Sequence, residues 1–182
     1  LFYVRLDANH RPSRVFRHGS ITANRKAAKT PKDPEGQRTR VPLYTQTAAV
    51  FARGLLQDEY GVDLSGVHWV QGAANSAQSH GNPSAPPPLN KVSIERNRSG
   101  RSLSELLEAG EIQAMLGSGL PAALRTNPDV QRLFPDFHAV ELESYRRTRV
   151  FPIMHLVAMR RDVYERHPFV ASSLYQAMDA AK

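Results

Sequence analysis

The sequence predicts an α/β fold, on three observations. Short apolar, β-branched runs alternate with a helical run of 3.6-residue period, glycines and prolines punctuate the element ends, and 41% of the 182 residues are apolar, enough for a core. After an Arg-, Asn- and Pro-rich lead-in, residues 19–23 read as a short strand, and residues 29–38 have the Pro, Asp and Gly content of a turn-rich connection. Residues 39–42 read as a second strand. Thr45 or Thr47 is placed to cap a helix whose apolar positions Ala48, Phe51, Ala52, Leu55 and Leu56 share one face, and Gly61 ends it. With residues 67–70 as a third strand, this is the strand, helix, strand unit that builds parallel sheets.

Residues 71–90 hold four prolines among Ser, Asn and Gly and are expected to form an exposed or disordered variable loop. Residues 92–95 read as a strand. Ser102 with Glu105 three positions on forms a capping box for a helix carrying Leu103, Leu106 and Leu107, closed by Gly110. Residues 112–116 give a strand running into the Gly117-Ser118-Gly119 loop, and Asn127 with Pro128 opens a helix through Val130 and Leu133. Residues 137–142 read as a strand. Residues 153–159, nearly all apolar, read as a strand buried on both faces, and residues 161–181 as helix interrupted at His167-Pro168. The chain shows no internal repeat.

Composition narrows the chemistry. Without cysteine there are no disulfides, thiolate nucleophiles or Cys-ligated zinc. The seven histidines, at 10, 18, 68, 80, 138, 155 and 167, are dispersed, so no metal is expected. Phosphate-binding loops, dinucleotide fingerprints and nucleophile elbows are absent, as is any apolar run of the ~18 to 20 residues that a membrane span requires. The formal charge is +7, but 19 of the 24 basic residues are Arg, scattered with no basic run or aromatic-interleaved stripe, which argues against nucleic acid. Arg is also the side chain whose planar fork grips a carboxylate, so a small acidic ligand fits this charge.

Several residues are candidates for holding such a ligand, each beside a plainer reading. Tyr44, Thr45, Gln46 and Thr47 follow a strand and start a helix, where free N–H groups and the helix dipole meet anions; either Thr equally serves as a simple cap. Arg14, Arg17 and His18 lie within five residues before a strand and bring two guanidinium groups and an imidazole together, or form a solvated basic loop. In an extended segment Arg17 and His18 would point to opposite sides. His155 stands in the apolar run IMHLVAM, as a hydrogen-bonded core residue or as a proton donor titrating near neutrality. Arg53 reaches the same anion, or pairs with Asp58 or Glu59 on the surface, which is the expectation here. Ser118 sits in a GSG turn, and Tyr145, Arg146 and Arg147 belong to a cleft rim or an exposed helix.

Three strings, RVFRHGSI at 14–21, VPLYTQTAAVFARGLLQDEYGVD at 41–63 and FPIMHLVAMRRDVYERHP at 151–168, resemble the 4,5-dihydroxyphthalate decarboxylases. The likeness covers most of the chain and is faintest between residues 74 and 100. It implies the type 2 periplasmic-binding-protein fold of two lobes. Residues 1–18 would belong to hinge and first lobe, 19–150 to an α/β second lobe with the variable loop 71–90, and 151–182 to the hinge strand and helix returning to the first lobe. Because the family is longer at both ends and this chain begins at Leu1, the middle of a larger protein is expected. The implied activity is cofactor-free, non-oxidative decarboxylation of an aromatic dicarboxylate, with His155 or His18 as acid, Arg14 and Arg17 as clamps, and residues 45–47 as the anion seat. The alternative is a transporter's solute-binding protein for a small carboxylate, periplasmic where the enzyme would be cytoplasmic. A degenerate fragment with neither activity would expose its cleft wall and associate into a homo-oligomer.

Overall fold

The structure, a computed structural model, describes residues 2–4, 16–77, 92–153 and 157–181. The chain forms two compact units, Phe16–Val150 and a smaller one from Leu1–Val15 with Phe151–Lys182. The smaller unit begins with β1 (Phe2–Val4). In the larger, a 3-10 turn at His18–Ser20 leads into β2 (Ile21–Asn24), so the backbone around His18 is curled rather than extended. β3 (Arg38–Val41) ends at Pro42, and α1 (Thr47–Tyr60) follows. Its N-cap is Gln46, neither threonine, and that side chain makes no capping bond; Gly61 closes the helix at φ 62°, a left-handed value that glycine adopts without strain. β4 (His68–Gln71) and β5 (Ile94–Arg96) come next.

α2 (Leu103–Glu108) starts with the expected capping box: Ser102 Oγ accepts from Glu105 N at 3.2 Å, and Glu105 Oε2 accepts from Ser102 N at 2.7 Å. β6 (Ala114–Leu116) is followed by two departures from expectation. Asn127 ends the short α3 (Ala123–Thr126) instead of opening a helix, and the following segment is β7 (Val130–Arg132), because its backbone pairs with β2. The stretch expected as a strand at 137–142 lies in α4 (Phe137–Thr148), whose N-cap Asp136 accepts from Ala139 N at 3.4 Å. Its inward positions include Glu141 and Ser144, polar residues that hide the helical period from a reading of apolar spacing. In the smaller unit β8 (Val157–Met159) pairs antiparallel with β1, Phe2 opposite Met159, and α5 (Arg161–Arg166) and α6 (Phe169–Ala180) are separated at His167-Pro168 as expected. β8 is not buried on both faces, since Ala158 is exposed; residues 154–156 lie outside the described residues.

The larger unit is a six-stranded mixed sheet in the order β5-β4-β3-β6-β2-β7. β3 is parallel to β4 and β6, β4 is parallel to β5, and β2 runs antiparallel between β6 and β7. Side chains alternate between two cores. Val41, Trp69, Ala114 and Leu116 pack under Ala49, Ala52 and Leu56 of α1, whereas Met115 joins Leu103, Leu106 and Leu107 of α2 on the opposite face. Replacing Ser102 with Ala deletes one half of the capping box, and the chain is expected to lose about 1 kcal/mol. Urea unfolding of Ser102→Ala should show a lower midpoint at unchanged slope; an unchanged midpoint would count against the cap.

Candidate functional site

Parallel pairing of β3 with β4 and β6 brings three carboxyl-terminal strand ends to one edge of the sheet. Loops leaving that edge are locked to one another. Tyr44 N donates to Gln71 Oε1 at 2.6 Å, tying the chain after β3 to the last residue of β4. Gln46 Nε2 donates to Ser118 Oγ at 3.2 Å, tying it to the loop after β6. A Cβ on Gly117 would lie 2.8 Å from Pro42 Cδ, so only glycine permits this close approach. Asn75 reaches across in the same way, donating to Leu120 O at 3.0 Å and accepting from Ala122 N at 2.7 Å.

Arg53 is the charged centre of this edge. It sits on the second turn of α1, 8% exposed, with its guanidinium carbon 3.6 Å from the centroid of the Tyr44 ring and 5.5 Å from that of Trp69. Nη1 donates to Tyr44 O at 2.7 Å. The surface pairing with Asp58 or Glu59 does not form: Glu59 is taken by Arg147 and by Ser144 Oγ at 2.9 Å, and Asp58 Oδ1 accepts from Gln57 Nε2 at 3.5 Å. Among the described residues no carboxylate pairs with Arg53. Burial holds its pKa below the usual guanidinium value, an effect that Tyr44 partly offsets. Beside it α1 begins without a side-chain cap, and its first i→i−4 bond is Val50 N to Gln46 O at 2.9 Å. The N–H groups of Thr47, Ala48 and Ala49 therefore precede the helical ladder, at the positive end of the helix dipole.

The structure thus brings Tyr44, Gln46, Arg53 and Ser118 together, with Thr45 half-buried and Thr47 exposed between them. Arg17 and His18 enter the sheet at β2, whose first residue Ile21 is in register with Leu116 at the end of β6. Their side chains turn elsewhere. His18 is 1% exposed, its ring 5.2 Å from Phe134 and 6.2 Å from Tyr60 in edge-on contacts. Arg17 is half-buried near Glu141; burial lowers its pKa and the Glu141 charge raises it. Glu141 also accepts Gly19 N at 3.1 Å. Tyr145 packs edge-on against Phe16, with 6.3 Å between centroids, and Arg147 belongs to the Glu59 pairing. Arg14 and His155 lie outside the described residues. Sequence reasoning missed Gln71, Trp69 and Asn75. The available signal was the strand HWVQ, which ends in a polar residue where a parallel sheet places its ligands. Among the described residues no group of three metal-ligating side chains converges, and no helix is long and apolar enough to cross a membrane.

No protein-family model matches the chain. It is 36% identical over 173 residues to the 4,5-dihydroxyphthalate decarboxylase of Comamonas testosteroni, an alignment covering 94% of this chain and 52% of that protein. With the 4,5-dihydroxyphthalate decarboxylase of Pseudomonas putida the identity is 31% over 137 residues, 74% of this chain and 53% of the relative. The chain spans about half the length of the curated relatives it matches. It is therefore related by sequence to the 4,5-dihydroxyphthalate decarboxylases, along that half of their length.

Proposed function

We propose that the protein carrying this chain decarboxylates an aromatic dicarboxylate such as 4,5-dihydroxyphthalate without oxidation, and that the carboxyl-terminal sheet edge seats one carboxylate. The observation that carries the seat is Arg53: a desolvated guanidinium held on Tyr44, with no carboxylate among the described residues to pair it, beside the uncapped start of α1. The reaction itself rests on the two named relatives, which give no support to the solute-binding alternative. In this reading the larger unit is one lobe of a periplasmic-binding-protein-like fold and the smaller belongs to the hinge and the other lobe.

The chemistry requires little of the protein beyond placement. In 4,5-dihydroxyphthalate each carboxylate is para to a hydroxyl, whose oxygen releases electrons to the carbon bearing that carboxylate. Protonation at this carbon gives a dienone-like intermediate. Its carbon–carbon bond to the carboxylate then breaks, carbon dioxide leaves, and the bonding pair restores the aromatic ring as 3,4-dihydroxybenzoate. The needs are an acid at the ring carbon, a clamp for the second carboxylate and a partner for the phenol. His155 is the proposed acid, with His18 second because its ring is enclosed by Phe134 and Tyr60. Arg53, Thr45, Gln46, Thr47, Tyr44 and Ser118 form the proposed seat, with Arg14 and Arg17 as further clamps.

Two variants separate these roles. Arg53→Met keeps an aliphatic stem against Tyr44 and removes the charge, so affinity for 4,5-dihydroxyphthalate should fall about 10- to 100-fold, the range for a charged hydrogen bond. Calorimetric titration showing equal affinities would remove Arg53 from the seat. His155→Ala should abolish carbon dioxide release while leaving ligand affinity within about threefold, since an acid acts on the barrier and contributes about 10²- to 10⁴-fold. An unchanged release rate would exclude it as the proton donor.

A further inference from the structure

A second guanidinium is buried on the other face of the sheet. β3 alternates, so Thr39 and Val41 share the register of the α1 side, while Arg40 lies opposite Val70 and Met115 on the side covered by α2. Arg40 is 3% exposed. Its Nε and Nη1 are buried and have no hydrogen-bond partner among the described residues. The carboxylates nearby are already engaged: Glu95 pairs with Arg38, and Glu111 accepts two bonds from Arg101 Nη2 at 2.7 and 2.6 Å. Burial pushes the Arg40 pKa down to about 10, with Arg38 adding to the fall and the Glu95 and Glu111 charges opposing it, which still leaves the group cationic at neutral pH.

An unpaired buried cation costs stability, and an apolar residue of similar length would fill the same space without that cost. Arg40 does not face solid packing. It lines a cavity of about 330 Å³ shared with Arg38, Arg96, Arg98, Glu95 and Glu111. That volume lies at the lower end of the ~300 to 1,000 Å³ typical of small-molecule sites. We infer that this cavity is a second ligand site, taking a small oxyanion, phosphate or carboxylate, whose charge is met by Arg40 in its interior and by Arg98 at its rim. Occupancy sets an anion's charge beside the Arg40 guanidinium and couples β3, the strand that feeds the Arg53 edge, to ligand on the opposite face.

The test is thermal unfolding of the full chain at constant ionic strength, titrated separately with inorganic phosphate and with benzoate. At least one anion should raise the melting temperature to saturation, and the arm that does so identifies the ligand chemistry. Measured in the Arg53→Met background, where the proposed carboxylate seat is removed, that rise should persist and adding Arg40→Met should abolish it; Arg40→Met alone should melt higher than the parent in the absence of either anion. A rise that survives Arg40→Met in that background, or no rise there with either anion, would overturn the site. Should Arg40→Met fail to fold, the side-chain ¹⁵Nε resonance of Arg40 in the parent reports directly: it should move with the anion, and a stationary resonance across both titrations would overturn the site equally.

Discussion

β3 has a parallel neighbour on each side, and that pairing determines which end of the sheet can hold a ligand. Parallel strands need crossovers, and the crossover from β3 to β4 is α1, whose start must therefore lie at the carboxyl ends of β3, β4 and β6. Everything placed at that edge follows from this: the Tyr44 to Gln71 bond, the Gln46 to Ser118 bond and the approach of Gly117 to Pro42. An antiparallel β3 would bring the same residues to opposite ends of the sheet. β2 alone runs against the other strands, between β6 and β7, which point the same way and are joined past it through α3, and β2 follows directly on His18 with its aromatic contacts to Phe134 and Tyr60.

Charge follows a similar logic. The exposed pairs Lys26 with Asp129, Arg160 with Asp162 and Arg101 with Glu111 contribute little stability, because solvent screens them. Arg53 and Arg40 differ in kind. Both are nearly removed from water, on opposite faces of the sheet, and neither is ion-paired with or hydrogen-bonded to a carboxylate among the described residues. Arg53 is compensated by an aromatic face and a carbonyl, which hold it in place without quenching its charge. Such an arrangement favours an incoming anion, since the desolvation cost is already met in the fold and the geometry needs no reorganisation.

The sequence was legible where local chemistry decides structure. Gly61 stops α1, Ser102 and Glu105 start α2, and His167-Pro168 divides the last two helices, each through bonds made within a few residues. It misled where distant partners decide. Val130 and Leu133 have helical spacing, yet pairing with β2 draws β7 into the sheet. Phe137 and Val140 looked like part of a strand because the inward residues of α4 beyond them are polar: Glu141 is buried to accept from Gly19, 122 positions away. The same gap explains Arg53. A surface ion pair one turn along the helix is the local expectation, but Arg147 captures Glu59 from 88 positions away and leaves Arg53 to Tyr44. The residues that spacing placed at the helix start, Tyr44 to Thr47, required only that a strand precede a helix.

Relatives matched along half their length make the account depend on whether this edge accepts a carboxylate at all. The most direct measurement is an amide ¹H–¹⁵N titration of the chain with 4,5-dihydroxyphthalate. Saturable movement of the Thr47, Ala48, Gly117 and Ser118 amides, together with the Trp69 indole N–H beneath Arg53, is the predicted result. A titration in which ligand binds while those five resonances stay fixed would contradict the carboxylate seat.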